Sequence, residues 1–277
     1  MSEATWLEVE GASLSAESVH QHGADGVPLV FLHAGVADGR MWQAQWDAFA
    51  GQHPLLRYDR RGFGQTRIHE ARPYSRTRDL LAVMEAAGLR RAVLVGCSQG
   101  GRVALDLAVA HPDRVAALVL VAPAVNGAPA PELEGSVKML SEAIDAAIAA
   151  GNLDAANQLE AQLWLDGPSA PRGRVTGAAR ELFLAMNAIA LASPDPGPAA
   201  EEPSAWMRLE QIGRPTLVLW GDLDLPHLQA RCETLVQRLP DARRVVLEGT
   251  AHLPGLEAPE RFNAALSEFV QSLGPVA

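Results

Sequence analysis

The sequence predicts an α/β fold, a mostly parallel sheet flanked by helices and interrupted late in the chain by an inserted helical cap. Short apolar runs recur, and most are followed by a segment of helical periodicity, the succession expected when strands and helices alternate. The runs are continuously apolar rather than alternating, which marks strands buried on both faces. Between about Asn126 and Ala205 the strand-like runs vanish and Ala-rich amphipathic segments take over.

Taken in order, "TWLEVEG" and "ASLSAESVHQHG" read as an antiparallel start joined by a short turn at Gly11. The strands "PLVFLH", "PLLRYD", "AVLVGC" and "VAALVLVAP" follow, with helices "GRMWQAQWDAFAG", "YSRTRDLLAVMEAAGL" and "QGGRVALDLAVAHP" between them. Most of these helices end near Gly or Pro, where a stop is expected. The cap segments "GSVKMLSEAIDAAIAAGN", "LDAANQLEAQLWLDG" and "GAARELFLAMNAIAL" are separated by the Gly/Pro clusters "GAPAPELEG", "DGPSAPRGR" and "SPDPGPAAEEP". The sheet resumes at Pro215 with "PTLVLWG" and "RRVVLEG" and helices "HLQARCETLVQRLP" and "PERFNAALSEFVQSL". The chain thus divides into a core over 1–125 and 206–277 and a cap over 126–205.

With 277 residues, 48% hydrophobic and 20% charged, the chain has apolar material for a sizeable core. A formal net charge of −10 offers no electrostatic footprint for nucleic acid or a membrane surface. No apolar run approaches the roughly 18 residues needed to span a bilayer, and the opening "MSEATWLEVEG" has neither a basic leader nor an apolar core. The chain reads as cytoplasmic, with Cys97 and Cys232 as reduced thiols. For assembly the sequence allows a homodimer and fixes no oligomeric state.

The stretch "VLVGCSQGGRVAL" carries the chemistry. A buried-type strand breaks off, Ser98 stands between glycines, and a helix opens at once. A nucleophilic serine needs such a strand-to-helix turn, which holds its hydroxyl clear of the backbone. Side chains two positions before and after it would collide with neighbouring backbone, so Gly96 and Gly100 are the expected residues. Gln99 would offer its backbone N–H at the helix start, where the dipole favours an anion. The competing reading is that Ser98 merely caps the helix.

Serine needs a base, and the base needs an orienting carboxylate. His20, His22, His53, His69 and His111 read as surface or structural, His33 as a loop support, and His227 as a local cap at a helix start. His252 lies in the loop between the last strand and the last helix, where the order Ser, acid, His would place a base. For the acid, "TLVLWGDLDLPH" leaves its strand into two candidates, Asp222 and Asp224, either of which could simply form the turn.

Four segments, "FLHAGVADGRMW", "RYDRRGFGQT", "GCSQGG" and "WGDLDLP" followed by "GTAHLPGLEAPERFN", resemble the α/β-hydrolase superfamily, and the likeness extends over nearly all the chain outside the cap. The resemblance implies a central, mostly parallel eight-stranded sheet, a helical cap between strands six and seven, and a Ser98, Asp224, His252 triad, with Asp222 left as a turn residue. It also implies an oxyanion hole from the backbone N–H groups of Gln99 and Gly35, although Ala34 stands where glycine is usual. Asp59, Arg61 and Gly62 match a structural loop. No metal or organic cofactor is implied.

The implied activity is acyl transfer to water from a small or medium, largely uncharged carboxylic ester or lactone. Carbon–carbon hydrolysis, amide hydrolysis and cofactor-free perhydrolysis use the same triad, and some superfamily members are small-ligand receptors. Trp42, Trp164 and Met186 are candidate substrate-pocket residues, with Met41, Met139, Leu140, Leu165, Phe183 and Trp206 weighed beside them; packing is the competing role for each. The arginines of "PRGRVTGAAR" read as a solvated charged face.

Overall fold

The computed structural model describes residues 5–20 and 25–274, so the expectations placed on His22 and on the first four residues lie outside the described residues. Nine strands form one sheet: β1 (Thr5–Val9), β2 (Ala12–Val19), β3 (Leu29–Leu32), β4 (Leu55–Tyr58), β5 (Arg67–Ile68), β6 (Ala92–Cys97), β7 (Val115–Val121), β8 (Thr216–Gly221) and β9 (Ala242–Leu247). Their order is β1-β2-β4-β3-β6-β7-β8-β9, with β5 paired to β2 off this path. Pairings that involve β2 are antiparallel and the others are parallel. Among the described residues the expected eight strands are therefore nine. Two-residue β5 sits at the edge and is too short to leave a periodic signal in sequence.

The helices are α1 (Gln43–Phe49), α2 (Arg76–Ala86), α3 (Gln99–Ala110), α4 (Gly135–Ala149), α5 (Leu153–Glu160), α6 (Gly177–Ala192), α7 (Pro226–Arg238), α8 (Pro254–Glu257) and α9 (Pro259–Gln271). The central strands are buried at every position, as continuous apolarity requires when helices cover both faces. Their residues alternate between two cores. Leu94, Leu120 and Val218 pack with Leu80, Val103, Leu107 and Leu235 of α2, α3 and α7. Val95, Val119 and Leu219 pack with Trp46, Phe49, Phe262 and Leu266 of α1 and α9, and this second core continues into Leu165, Phe183 and Met186.

Between β7 and β8 the described chain contains α4, α5, α6 and short turns but no paired strand. After α5 the helix widens into a π-helical turn at Ala161–Asp166, which ends at Gly167 with φ 96°. A Cβ on Gly167 would lie 2.6 Å from the Leu223 carbonyl oxygen, so this turn seats directly on the loop that follows β8. Parallel strands bring their carboxyl ends to one rim, and the loops after β3, β6, β8 and β9 meet there.

Candidate active site

The elbow after β6 is built from contacts that admit no larger side chains. A Cβ on Gly96 would come within 2.6 Å of the Gly100 backbone, and one on Gly100 within 2.2 Å of the Leu32 carbonyl oxygen. Ser98 occupies φ 52°, ψ −114°, a conformation rare for a residue with a side chain. The surroundings hold it there. Ser98 N–H donates to Val121 O at 2.9 Å, while its carbonyl accepts from Ala124 N–H at 2.9 Å and Arg102 N–H at 3.1 Å. Backbone held in so sparse a region points to function. The hydroxyl makes no capping bond to α3, so the capping role weighed from sequence is not the one it plays.

The loops after β8 and β9 are stitched together. Leu223 N–H donates to Thr250 O at 2.9 Å, and the exposed Asp222 accepts Gly249 N–H at 2.6 Å, which makes Asp222 a turn residue. This closure brings together two side chains that are 28 positions apart in sequence. His252 Nδ1 lies 2.9 Å from Asp224 Oδ2 and 3.1 Å from Oδ1, with the residues 1% and 2% exposed. Asp224 Oδ1 also accepts Leu225 N–H at 2.7 Å. An ionised carboxylate only accepts, so Nδ1 carries the proton and Nε2 of the neutral imidazole keeps its lone pair. Ser98 approaches through its neighbour, since the Cys97 thiol donates to the His252 carbonyl at 3.5 Å. No direct bond joins the Ser98 hydroxyl to the imidazole among the described residues.

Further bonds fix the His252 loop from behind. The Glu257 carboxylate accepts the backbone N–H groups of Ala251 and Leu253, which flank the histidine, at 2.9 and 3.1 Å. Burial pushes this carboxyl up from the usual carboxylate range, against the stabilising Arg174 guanidinium and the two N–H groups. Arg174 donates to Glu257 and to the carbonyls of Leu165, Asp166 and Gly249, while Arg180 pairs with buried Asp166 at 2.9 Å. These two arginines are therefore half-buried clamps, not the solvated face expected. Trp164, on the π-helical turn, accepts His252 N–H at 3.2 Å and sets its ring 4.7 Å from the imidazole.

On the opposite side, His33 supports the loop after β3. Its Nδ1 meets Ala34 O at 2.7 Å and its Nε2 accepts Arg60 N–H at 3.0 Å, a pattern only the neutral Nδ1–H tautomer satisfies. Burial and then the Arg60 charge hold its pKa well below the ordinary histidine value, consistent with that form. Arg60 also donates to the carbonyls of His33 and Ala34, both at 3.1 Å, and through Nη1 to Gln99 Oε1 at 3.0 Å. Gln99 in turn lies against Gly35, where a Cβ would come within 2.5 Å of Gln99 Nε2. Ala34 does not adopt positive φ, so the glycine usual at that position is not needed for this backbone. By position at the start of α3, the Gln99 N–H lies outside the intrahelical ladder.

Of the three candidate pocket residues, Trp164 alone keeps exposed surface. Trp42 is fully buried between Phe31 and Phe262, and Met186 is buried in the same core. Met41, Leu165 and Phe183 are also core residues, while Met139 is 70% exposed. No side-chain cap forms at the start of α7, so His227 does not play the capping role expected of it. Glu257 and Arg60 have no recognised role in sequence; "GLEAPERF", with a carboxylate five positions after His252, is the available signal for the first. Among the described residues no group of three His, Cys, Asp or Glu side chains converges at metal-ligand spacing, and no helix is long and apolar enough to cross a membrane.

Comparison with known proteins agrees with this architecture. The model of the Alpha/beta hydrolase family matches residues 29–265. The chain is 29% identical to the pimeloyl-[acyl-carrier protein] methyl ester esterase of Aeromonas hydrophila, over 91% of this chain and 98% of that one. It is 39% identical over 101 residues to the provisionally named carbamate hydrolase RutD of Caulobacter vibrioides, a match spanning 35% of this chain and 37% of that protein. Among solved structures, a hydrolase from Pseudomonas aeruginosa PA01 aligns with TM-score 0.76 at 26% identity, covering 98% of both chains. Est816, described as an N-acyl homoserine lactone degrading enzyme, aligns with TM-score 0.70 at 28% identity, covering 96% of this chain and 100% of that one.

Proposed function

This chain belongs to the Alpha/beta hydrolase family, and from that premise we propose that it hydrolyses small or medium carboxylic esters or lactones through an acyl-enzyme on Ser98. The observation that carries the reading is the buried His252–Asp224 pair, with Nδ1 committed to the carboxylate and Nε2 left with a lone pair on the rim that holds the Ser98 elbow. The esterase and the lactone-degrading enzyme among its relatives support the choice of bond.

His252 Nε2 takes the Ser98 proton as the hydroxyl oxygen attacks the carbonyl carbon. Asp224 holds the tautomer and steadies the imidazolium. The carbonyl oxygen gathers negative charge at the backbone N–H groups of Gln99 and Gly35, where each such donor is worth about 3 kcal/mol in comparable enzymes. The imidazolium then protonates the departing alkoxide, and water activated by the same base releases the acyl group. Bonds within this site are expected to tighten when substrate docks.

The test is turnover of p-nitrophenyl butyrate by the wild-type protein and by Ser98→Ala. The reading expects a loss of at least about 10³-fold in kcat for the variant. Equal rates would refute it.

A further inference from the structure

Beside the elbow lies a cavity of about 250 Å³ that the proposed mechanism leaves unused. Gln99 forms part of its wall, and Gln99 follows Ser98 directly, one peptide unit or about 3.8 Å along the chain. The loop after β4, the start of α2 and the chain after α6 supply the rest.

The wall is cationic. Arg60, Arg61 and Arg76 line it against two carboxylates, Asp79 and Asp195. Asp79 is consumed by Arg61, which meets it through Nε at 2.8 Å and Nη2 at 3.1 Å. Asp195 is exposed and accepts Gly197 N–H at 2.9 Å. Arg60 is 6% exposed, yet its guanidinium meets no carboxylate: it contacts the His33 ring and carbonyl, the Ala34 carbonyl and the Gln99 amide, and stacks 4.6 Å over the Phe63 ring. Arg60 Nε and the Tyr58 hydroxyl are buried in the wall without a hydrogen-bond partner. Arg76 forms no ion pair among the described residues and lies over the Tyr74 ring at 5.9 Å. Glu202, bonded to the residues on either side of Arg76, is taken up by the hydroxyls of Ser75 and Thr77.

A buried cation without an anion is costly, and low-dielectric walls focus its field into the adjoining space. Burial lowers the Arg60 pKa to about 10, so the group is still charged at neutral pH. Burial also holds the Tyr58 phenol well above its ordinary value, so it remains an O–H donor. The protein as a whole is strongly acidic, with formal net charge −10, which makes this local excess of positive charge a deliberate exception.

We propose that the cavity beside Gln99 is a subsite for a carboxylate carried by the ester or lactone substrate, with Arg76 and Arg60 supplying the countercharge. The proposal rests on the ester-hydrolase reading above and replaces the largely uncharged substrate expected from sequence. Arg76, partly exposed, meets the carboxylate, and Arg60 reinforces it from beneath while holding Gln99 in place.

The test compares mono-p-nitrophenyl glutarate with its neutral methyl ester, methyl p-nitrophenyl glutarate, on wild type and Arg76→Gln at low ionic strength. The wild-type kcat/KM is expected to favour the monoanion at least tenfold, with the difference in KM, and the variant is expected to lose at least that preference. No wild-type preference, or equal losses on both esters, would overturn the subsite while leaving ester hydrolysis intact. Calorimetric binding of the monoanion to Ser98→Ala, with and without Arg76→Gln, reads the subsite without turnover. Binding weakened about tenfold by the second substitution supports it even if neither ester is hydrolysed by the wild type, the outcome that would sink the hydrolase reading alone. Unchanged binding refutes it.

Discussion

Asp224 divides its two oxygens between two donors: Oδ1 accepts Leu225 N–H at 2.7 Å and lies 3.1 Å from His252 Nδ1, and Oδ2 lies closer to that Nδ1, at 2.9 Å. In Asp224→Asn the single amide oxygen is claimed by the Leu225 N–H, which turns the NH₂ toward Nδ1. That arrangement forces the proton onto Nε2 and removes the base. A kcat loss of about 10³- to 10⁴-fold with little change in KM or melting temperature is expected. Steady-state kinetics beside a thermal melt would check it; a loss under tenfold would contradict it.

Half-buried Arg174 pairs with the buried Glu257 carboxylate and links the chain before α6 to the His252 loop. Removing the cation by Arg174→Ala leaves the Glu257 carboxylate with its backbone donors alone, and breaking such a pair costs about 3 kcal/mol. Denaturant unfolding should report that loss. Glu257→Gln keeps one acceptor oxygen for two N–H groups, so it should lower kcat several-fold through a looser His252 while costing less stability than Arg174→Ala.

Gly100 lets α3 press against the end of β3. In Gly100→Ala the new methyl would lie 2.2 Å from Leu32 O and 2.8 Å from His33 O, both backbone atoms of the central sheet or its loop. Neither can yield locally. Destabilisation of more than about 3 kcal/mol is expected, seen as a lowered unfolding midpoint or loss of soluble protein. Wild-type stability in this variant would mean that the elbow is looser than its contacts indicate.

Asp106 is 1% exposed, and neither carboxylate oxygen has a hydrogen-bond partner, with Arg102 Nε at 3.5 Å. Burial pushes its pKa up to about 6 from 3.8. Because the folded pKa is raised, the folded state holds a proton that the unfolded chain has lost between about pH 4 and pH 6. Stability from this group therefore falls as pH rises through that window, by up to about 1.4 kcal/mol per pH unit. Asp106→Asn should remove that slope. Melts at pH 4, 5 and 7 should show the variant gaining on the wild type as pH rises, and parallel curves would contradict the assignment.

What could be read from sequence was set by neighbours in the chain. The Ser98 elbow is a strand, a turn and a helix within one short stretch, and its glycines announce the close contacts they permit. The Asp224 and His252 loops were legible for the same reason, each following a strand. Arg60 and Gln99, 39 positions apart, and Arg174 and Glu257, 83 apart, meet only in the folded sheet, so composition and periodicity carry no trace of their bonds. Trp42 was ambiguous because an aromatic beside the loop after β3 can face a cavity or a core; the rings of Phe31 and Phe262 decide for the core. Strand β5 escaped because two residues cannot show a period.

The most direct test of a nucleophilic Ser98 is covalent. After reaction with a fluorophosphonate, mass spectrometry of proteolytic fragments should find one equivalent of adduct on Ser98 and none in Ser98→Ala, with ester turnover lost in proportion to labelling. An adduct on another residue, or full labelling that leaves turnover unchanged, would contradict the account.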